Sequence, residues 1–228
     1  LADRTVWAMG EQLKCGDFVP FVFEHKFNME VGDGDRKQLM SGTIDRVDIC
    51  ENGTDVYVRI IDYKTGKKDF NIVKTYYGID IQLMVYMEAA MKLVAKMRPG
   101  KNVIPAGVFY YNISDPIVSA TTESAEEIED KIKGELRLKG MVNSDKDIAE
   151  KMDNTEGTSL NIPVSRKADG GFDSRRSKVM NTEQFNILGR FVDVRAIDTA
   201  DRIAGGDIRR SPYKDGQFSS CDRCPYGA

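Results

Sequence analysis

Several residue types are scarce in this sequence, and each scarcity excludes something. There is one histidine, His25, in 228 residues, and there are four cysteines, Cys15, Cys50, Cys221 and Cys224. Four thiols are too few to staple a chain of this length, so a disulfide scaffold is excluded and a reducing, cytoplasmic setting is expected. No run of about 18 consecutive apolar residues occurs, which argues against a membrane-spanning helix. Positive charge is not in excess: the formal net charge is −3. A global basic footprint is therefore absent, and any contact with nucleic acid has to come from a local patch. No internal repeat or low-complexity tract is visible. The opening Leu-Ala-Asp-Arg is neither an initiator methionine nor a signal peptide, so the chain reads as part of a longer protein.

Against these absences, 41% of the residues are hydrophobic and 30% charged, enough for one large domain or two small ones. Val6, Met9 and Leu13 fall at helical spacing in residues 1–14, with Cys15-Gly16 as the stop. Phe21, Phe23, His25, Phe27 and Met29 alternate with polar and smaller residues as a strand does, and residues 32–35 read as a turn. A long, mostly apolar helix is expected from about Tyr76 to Met97, closed by Pro99-Gly100, and a strand from Val103 to Ile113. Residues 124–133 look like a solvated helix capped by Thr122 or Ser124. Ser144–Met152 reads as a short helix with Ser144 as its cap, and residues 153–178 as a loop around short strands. A long amphipathic helix from Asn181 to Ala204 buries Phe185, Leu188, Val192 and Ile197, ends at Gly205-Gly206 and is followed by a short extended piece, Ile208–Pro212. Mixed strands and helices point to an α/β domain with helices packed on a mixed sheet.

The most informative stretch is Gly42–Lys64. Two β-branched runs, Gly42-Thr43-Ile44-Asp45-Arg46-Val47-Asp48-Ile49 and Val56-Tyr57-Val58-Arg59-Ile60-Ile61-Asp62-Tyr63-Lys64, flank an Asn52-Gly53 turn, the signature of a β-hairpin. Residues two apart in a strand share a face, so Asp62 and Lys64 point the same way. If Asp45 lies across from Asp62, two carboxylates and an ammonium converge, as a hard divalent cation and a phosphate oxygen require. The bland alternative is a pair of surface carboxylates neutralised by Arg46, Arg59 or Lys64. Asp62, however, ends a core-like strand, where a buried carboxylate without a cation or donor is costly. A basic loop follows at once, with Lys67 and Lys68 placed to meet strand phosphates. Gly66-Lys67-Lys68 lacks the upstream glycine and the following Ser/Thr of a phosphate loop, so no nucleotide site is expected. The later basic groups, Arg166, Lys167, Arg175, Arg176 and Lys178, then Arg209, Arg210 and Lys214, read as ordinary solvated loop charge.

Three motifs in order, Gly42-Thr43-Ile44-Asp45, then Asp62-Tyr63-Lys64, then Gln82-Leu83-Met84-Val85-Tyr86, resemble the RecB-like branch of the PD-(D/E)xK nuclease superfamily. Together they are specific, whereas Asp-x-Lys alone is weak. Within that branch the chain is similar to the C-terminal nuclease domain of the AddB subunits of AddAB ATP-dependent helicase/deoxyribonucleases. That closer likeness rests on Gly42–Asp48, Tyr76–Leu83, Pro105–Tyr111, Lys139-Gly140-Met141-Val142 and Cys221-Asp222-Arg223-Cys224-Pro225-Tyr226. The resemblance implies a restriction-endonuclease-like core over residues 1–213 and a partial C-terminal cysteine segment over 214–228.

It further implies that Asp45 and Asp62 are carboxylate ligands of Mg²⁺ or Mn²⁺ and that the Tyr63 carbonyl is another ligand. By the same likeness Lys64 orients or deprotonates the attacking water, and Gln82 and Tyr86 brace the site and contact DNA. The implied activity is a 5′–3′ exonuclease on single-stranded DNA, working with an AddA partner in double-strand-break processing and recombination. The family's upstream metal-ligating histidine does not correspond to His25, which reads as structural. Glu24 is a possible substitute carboxylate that strand alternation sets on the face opposite His25. Cys221 and Cys224 match two of the four ligands of that family's [4Fe–4S] cluster, and Cys15 does not match a third, so an intact cluster is expected only in the parent protein. Two other readings stand beside this one: a DNA-holding domain without nuclease chemistry, and a CRISPR-associated or phage nuclease with the same core.

Overall fold

The computed structural model describes residues 2–32, 37–118, 124–216 and 218–224. A six-stranded mixed sheet in sequential order carries the domain. Its strands are β1 (Val19–Val31), β2 (Gln38–Asn52), β3 (Asp55–Lys64), β4 (Asn102–Asn112), β5 (Lys139–Asn143) and β6 (Val179–Met180). β2 runs antiparallel to both β1 and β3, β4 lies parallel to β3, and β5 returns antiparallel to β4. The parallel step is a crossover through the long helix α3 (Gln82–Met97), preceded by the single turn α2 (Ile72–Tyr76). α3 lies on one face of the sheet with α6 (Thr182–Ala204) against it. The other face carries a second apolar cluster that includes Ile148, Ala149 and Met152 of α5 (Lys146–Met152). α1 (Ala2–Lys14) and α4 (Ala125–Glu135) complete the α-helices among the described residues. The α/β class with a mixed sheet flanked by helices is as expected.

The central hairpin forms as the sequence predicts, with Gly53 at φ 60 in the turn between β2 and β3. α3 is apolar on most sides because it is buried: Leu83, Met84, Val85, Met87, Ala89, Ala90 and Val94 all pack inside. It begins at Gln82 and not near Tyr76, because Gly78 at φ 76 breaks the chain between α2 and α3. The helix after residue 143 starts one turn-position later than expected: Asp145, not Ser144, caps it by accepting from the amides of Asp147 and Ile148. Ser124 caps α4 through a reciprocal capping box with Glu127, and Asn181 does the same for α6 with Gln184. Thr122, residues 33–35 and Pro225-Tyr226 lie outside the described residues. α1 turns Ala8 and Gln12 inward and leaves Val6 exposed, so its buried face is rotated from the one predicted. Residues 153–178 form a loop with two isolated bridges, Thr158 to Ser165 and Arg166 to Phe172.

β1 departs most from its expected alternation. Phe27, Met29 and Val31 are buried, but Phe23 is 60% exposed. The cause is an irregularity at Glu24, whose φ of 47 is the one left-handed value of a non-glycine residue among the described residues. Pairs Phe23–Arg46 and His25–Ile44 bracket it, so Glu24 lies opposite Asp45. β2 shifts face at the same point. Val47 and Ile49 on one side of Asp45, and Met40 and Ile44 on the other, all reach the same core cluster, which strict alternation forbids. Both strands therefore change face at the Glu24–Asp45 level, as kinked and strongly twisted hairpins do.

Candidate active site

The carboxylates of the hairpin converge at the end of β3, where its ladder with the middle of β2 stops. The ladder pairs Val47 with Ile60 and Arg46 with Ile61, and one further step sets Asp45 opposite Asp62. The Tyr63 amide donates to Asp45 Oδ2 at 2.8 Å, which ties the Asp45 side chain across the end of β3. Asp62 is 2% exposed. Its Oδ2 ion-pairs with the Lys64 ammonium and otherwise accepts no aligned hydrogen bond. Burial pushes the Asp62 carboxyl up; Lys64 pulls it down, and the neighbouring Asp45 charge adds to the rise. A buried, under-satisfied carboxylate beside a second carboxylate is an arrangement that a cation relieves.

Asp45 and Asp62 thus fit a hard divalent ion. Among the described residues no group of three or more His, Cys, Asp or Glu side chains could hold a metal. Mg²⁺ needs no more than one or two carboxylates, since it keeps several waters and takes substrate phosphate oxygens. Neither His25 nor Glu24 makes a group of three with Asp45 and Asp62.

The neutralisation that the bland alternative assigned to Arg46 and Arg59 goes elsewhere. Both guanidiniums bind Asp48 on the opposite face of the hairpin. Arg46 reaches it with Nε at 2.6 Å and a terminal nitrogen at 2.8 Å, and Arg59 with Nε at 2.9 Å. Arg59 also stacks over Phe18 at 4.9 Å. All three charged residues are buried. The Asp-Arg-Val-Asp run therefore holds a carboxylate of the candidate site and an internal brace: Asp45 accepts from the Tyr63 amide, while Asp48, paired with Arg59 in the ladder, is held by the two guanidiniums.

The third motif meets the first through packing. Gly42 faces the rings of Phe27 and Tyr86, and a Cβ there would come within 2.9 Å and 3.3 Å of them. Phe27 and Tyr86 pack edge to face at 5.8 Å, and Gln82 Nε2 donates to the Tyr86 hydroxyl at 2.9 Å. The glycine of Gly42-Thr43-Ile44-Asp45 thus leaves room for the tyrosine of Gln-x-x-x-Tyr.

A polar network that sequence reasoning did not single out completes the floor. Tyr110 is the β4 partner of Asp62 and shares its face. Its hydroxyl donates to Asp80 Oδ1 at 2.9 Å, while Asp80 Oδ2 pairs with Lys68 at 3.0 Å. Asp80 is buried just ahead of α3, and the Thr75 hydroxyl donates to its carbonyl. The ammoniums of Lys64 and Lys68 lie 5.7 Å and 5.5 Å from the Tyr110 ring centroid. Burial, then Asp80, pushes the Tyr110 phenol far above its ordinary range, so it remains a donor. The one legible signal was an acidic residue, Asp80, inside an otherwise apolar stretch. Asn112 pins the basic loop: its amide accepts from the Lys68 amide at 3.0 Å and donates to the Lys68 carbonyl at 2.9 Å.

Lys67 is exposed beside this loop. Of the later basic groups, Arg166 is structural, donating to the carbonyls of Ala149, Asp153 and Thr155, and Arg209 pairs with Asp207. Cys221 and Cys224 are exposed, Cys50 is buried in β2, and Cys15 is half-buried after α1. Two exposed thiols do not by themselves make the four-thiolate set of an iron–sulfur cluster.

The family model of the PD-(D/E)XK nuclease superfamily matches residues 1–228. Among curated relatives, the B subunit of the ATP-dependent helicase/deoxyribonuclease from Clostridium botulinum (strain Hall) is 37% identical over 99% of this chain. The proteins of the same name from Thermoanaerobacter sp. (strain X514) and Caldanaerobacter subterraneus subsp. tengcongensis are 35% and 37% identical over the same share. The chain spans about a fifth of the length of these relatives, 20% in each case. With two converging carboxylates, an adjoining lysine and a family match along its entire length, this chain belongs to the PD-(D/E)XK nuclease superfamily.

Proposed function

We propose that this chain is a divalent-metal-dependent deoxyribonuclease domain that hydrolyses phosphodiester bonds of single-stranded DNA fed to it by a helicase. The observation that carries this reading is the convergence of Asp45 and the buried Asp62 with Lys64 at one end of the hairpin. Asp45, Asp62 and the Tyr63 carbonyl are the ligands we assign to Mg²⁺ or Mn²⁺. When bound, the metal supplies an acidified water and stabilises negative charge on the phosphate in an in-line displacement. Lys64, placed on the face of Asp62, orients the water or takes its proton and offsets charge on the phosphate oxygens. Gln82 and Tyr86, joined by their own hydrogen bond, hold the wall of the site beside the hairpin and contact the strand. Lys67 and Lys68 attract strand phosphates, with Lys68 steadied by Asp80.

The relatives are named as subunits of ATP-dependent helicase/deoxyribonucleases. On that basis we assign the parent protein a helicase-containing partner; that the partner is of AddA type, in the cytoplasm, with a role in end processing for recombination and 5′–3′ polarity, is our reading of the motif resemblance alone. Residues 1–213 form the nuclease domain in this reading. Residues 214–228 contribute Cys221 and Cys224 to a [4Fe–4S] cluster of the parent, for which this chain lacks the remaining thiolates. Retention of Asp45, Asp62 and Lys64 disfavours a silent DNA-holding role.

The test compares the intact protein with its Asp62→Asn variant on end-labelled single strands, with Mg²⁺ or Mn²⁺ and with chelator. Loss of about 10³-fold or more in the variant is expected. Shortening of 5′-labelled strands from the labelled end reports the polarity. Equal cleavage by both proteins, or cleavage in chelator, would refute the proposal.

A further inference from the structure

The row of residues that contains Asp62 continues past the site. Tyr110 pairs with Asp62 across β3–β4 and with Lys139 across β4–β5, so Asp62, Tyr110 and Lys139 lie in one line on one face. Adjacent strands are about 4.8 Å apart, which puts Lys139 roughly 10 Å along the sheet from Asp62. There it lines a cavity of about 470 Å³ together with Lys67, Lys68, Arg137 and Lys178, against two acids, Asp69 and Glu135. The volume suits a nucleotide-sized group.

The charges in this cavity are not all spent. Lys178 pairs with Asp69 at 2.5 Å, and Lys68, though still facing the cavity, pairs with Asp80 at 3.0 Å. Lys139 has no hydrogen-bond or ion-pair partner among the described residues, although it is half-buried. Arg137 gives one terminal nitrogen to the Ser159 carbonyl at 3.4 Å, and its Nε is buried and unpartnered. Burial, and then the Arg137 charge, pull the Lys139 ammonium below its ordinary range. A half-buried cation next to an unsatisfied guanidinium is unfavourable alone and favourable once an anion with several acceptor oxygens is present.

We propose that this cavity is a phosphate subsite, in which Lys139 and Arg137 hold a second phosphate of the strand whose neighbouring bond is cleaved at Asp45 and Asp62. The proposal rests on the nuclease reading above and adds to it where the strand runs: across β4 toward β5, under the basic loop that Asn112 pins. Two sources share this chemistry, an internal phosphodiester and a 5′-terminal phosphomonoester.

The test uses the intact protein and its Lys139→Met and Lys139→Arg variants, with oligonucleotides that carry or lack a 5′-phosphate. Lys139→Met keeps the apolar stem and loses the charge. It should raise KM about 5–10-fold with kcat within about twofold, the signature of lost uniform binding. The slope of log(kcat/KM) against log salt should become shallower by about 0.7, one single-strand phosphate contact. Lys139→Arg should restore both. Equal effects on the two oligonucleotides assign an internal phosphodiester; an effect confined to the 5′-phosphorylated one assigns the terminal phosphate. An unchanged slope on both, or a fall in kcat at constant KM, overturns the subsite.

A measurement on unmutated protein guards against misfolding. Acetylation of Lys139 by acetic anhydride, followed by mass spectrometry in Ca²⁺ without turnover, should slow several-fold when oligonucleotide is added. Unaltered labelling refutes the subsite even where Asp62→Asn is inactive and the nuclease reading stands. Protected labelling with an active Asp62→Asn keeps the phosphate site and removes the nuclease reading.

Discussion

Replacing Asp48 by asparagine would take the only carboxylate out of a buried cluster of three charges. Asp48 is 0% exposed and Arg59 2%, and both carboxylate oxygens are engaged at 2.6–2.9 Å by Arg46 and Arg59. Neither guanidinium can deprotonate, and no other acid is at ion-pair distance from them among the described residues. An asparagine oxygen can satisfy part of the fork, but two positive charges stay buried without an anion. Removing one partner of a buried pair costs about 3–5 kcal/mol. With a urea dependence of about 2–3 kcal/mol per molar, the midpoint should fall by roughly 1–2.5 M. Equilibrium urea unfolding followed by circular dichroism measures this. A double cycle with Arg59→Gln adds a second reading: the pair should lose less than the sum of the single losses, because each removes the other's orphaned charge. Asp48→Asn should keep its cleavage activity wherever it remains folded, whereas Asp62→Asn should keep its stability and lose cleavage. A midpoint within about 0.3 M of the parent would refute the assignment of Asp48 as an internal brace.

Two further perturbations test other parts of the fold. A Cβ on Gly140 would overlap the Val108 carbonyl oxygen and come within 2.9 Å of the Phe109 Cα, because β4 and β5 approach closely there. Gly140→Ala should therefore cost about 3 kcal/mol in urea unfolding, and a loss under about 0.5 kcal/mol would contradict that packing. Burial, and then Asp193, holds the Glu88 carboxyl above its usual range where α3 meets α6; burial raises Asp193 as well. A carboxyl with a raised folded pKa binds its proton more tightly in the folded chain, so stability falls as pH climbs from about 4.3 through the folded value. Glu88→Gln should flatten that fall and raise Tm at about pH 8 by roughly 2–4 °C. Thermal scans from about pH 4 to 8 that keep the parent's slope would show that this pair is not responsible.

The local chemistry of the sequence was enough to locate the hairpin, its Asn52-Gly53 turn, the shared face of Asp62 and Lys64, and the burial of α3. These depend on residues close in the chain, where backbone periodicity and turn geometry act directly. Ser124, one of two cap candidates, and Asn181, the expected start of the last long helix, do cap α4 and α6, each with a reciprocal partner three residues on, Glu127 and Gln184. Other features depended on pairings between distant strands, which no local pattern encodes. Asp45 and Asp48 are alike in sequence, and only the ladder with β3 and the kink opposite Glu24 separate a site carboxylate from a buried brace. Phe23 shares the sequence alternation of Phe27 and Met29 and is nonetheless exposed, because that kink reverses the alternation of β1. Asp80 and Tyr110 are 30 residues apart and meet only because α3 crosses from β3 to β4. Lys139 falls in line with Asp62 only because β4 lies between β3 and β5. The sequence by itself determined which groups the chain could bring to a phosphate. The tertiary structure decided which of them converge, since the facing side of a strand residue is set by register, and register is a long-range property.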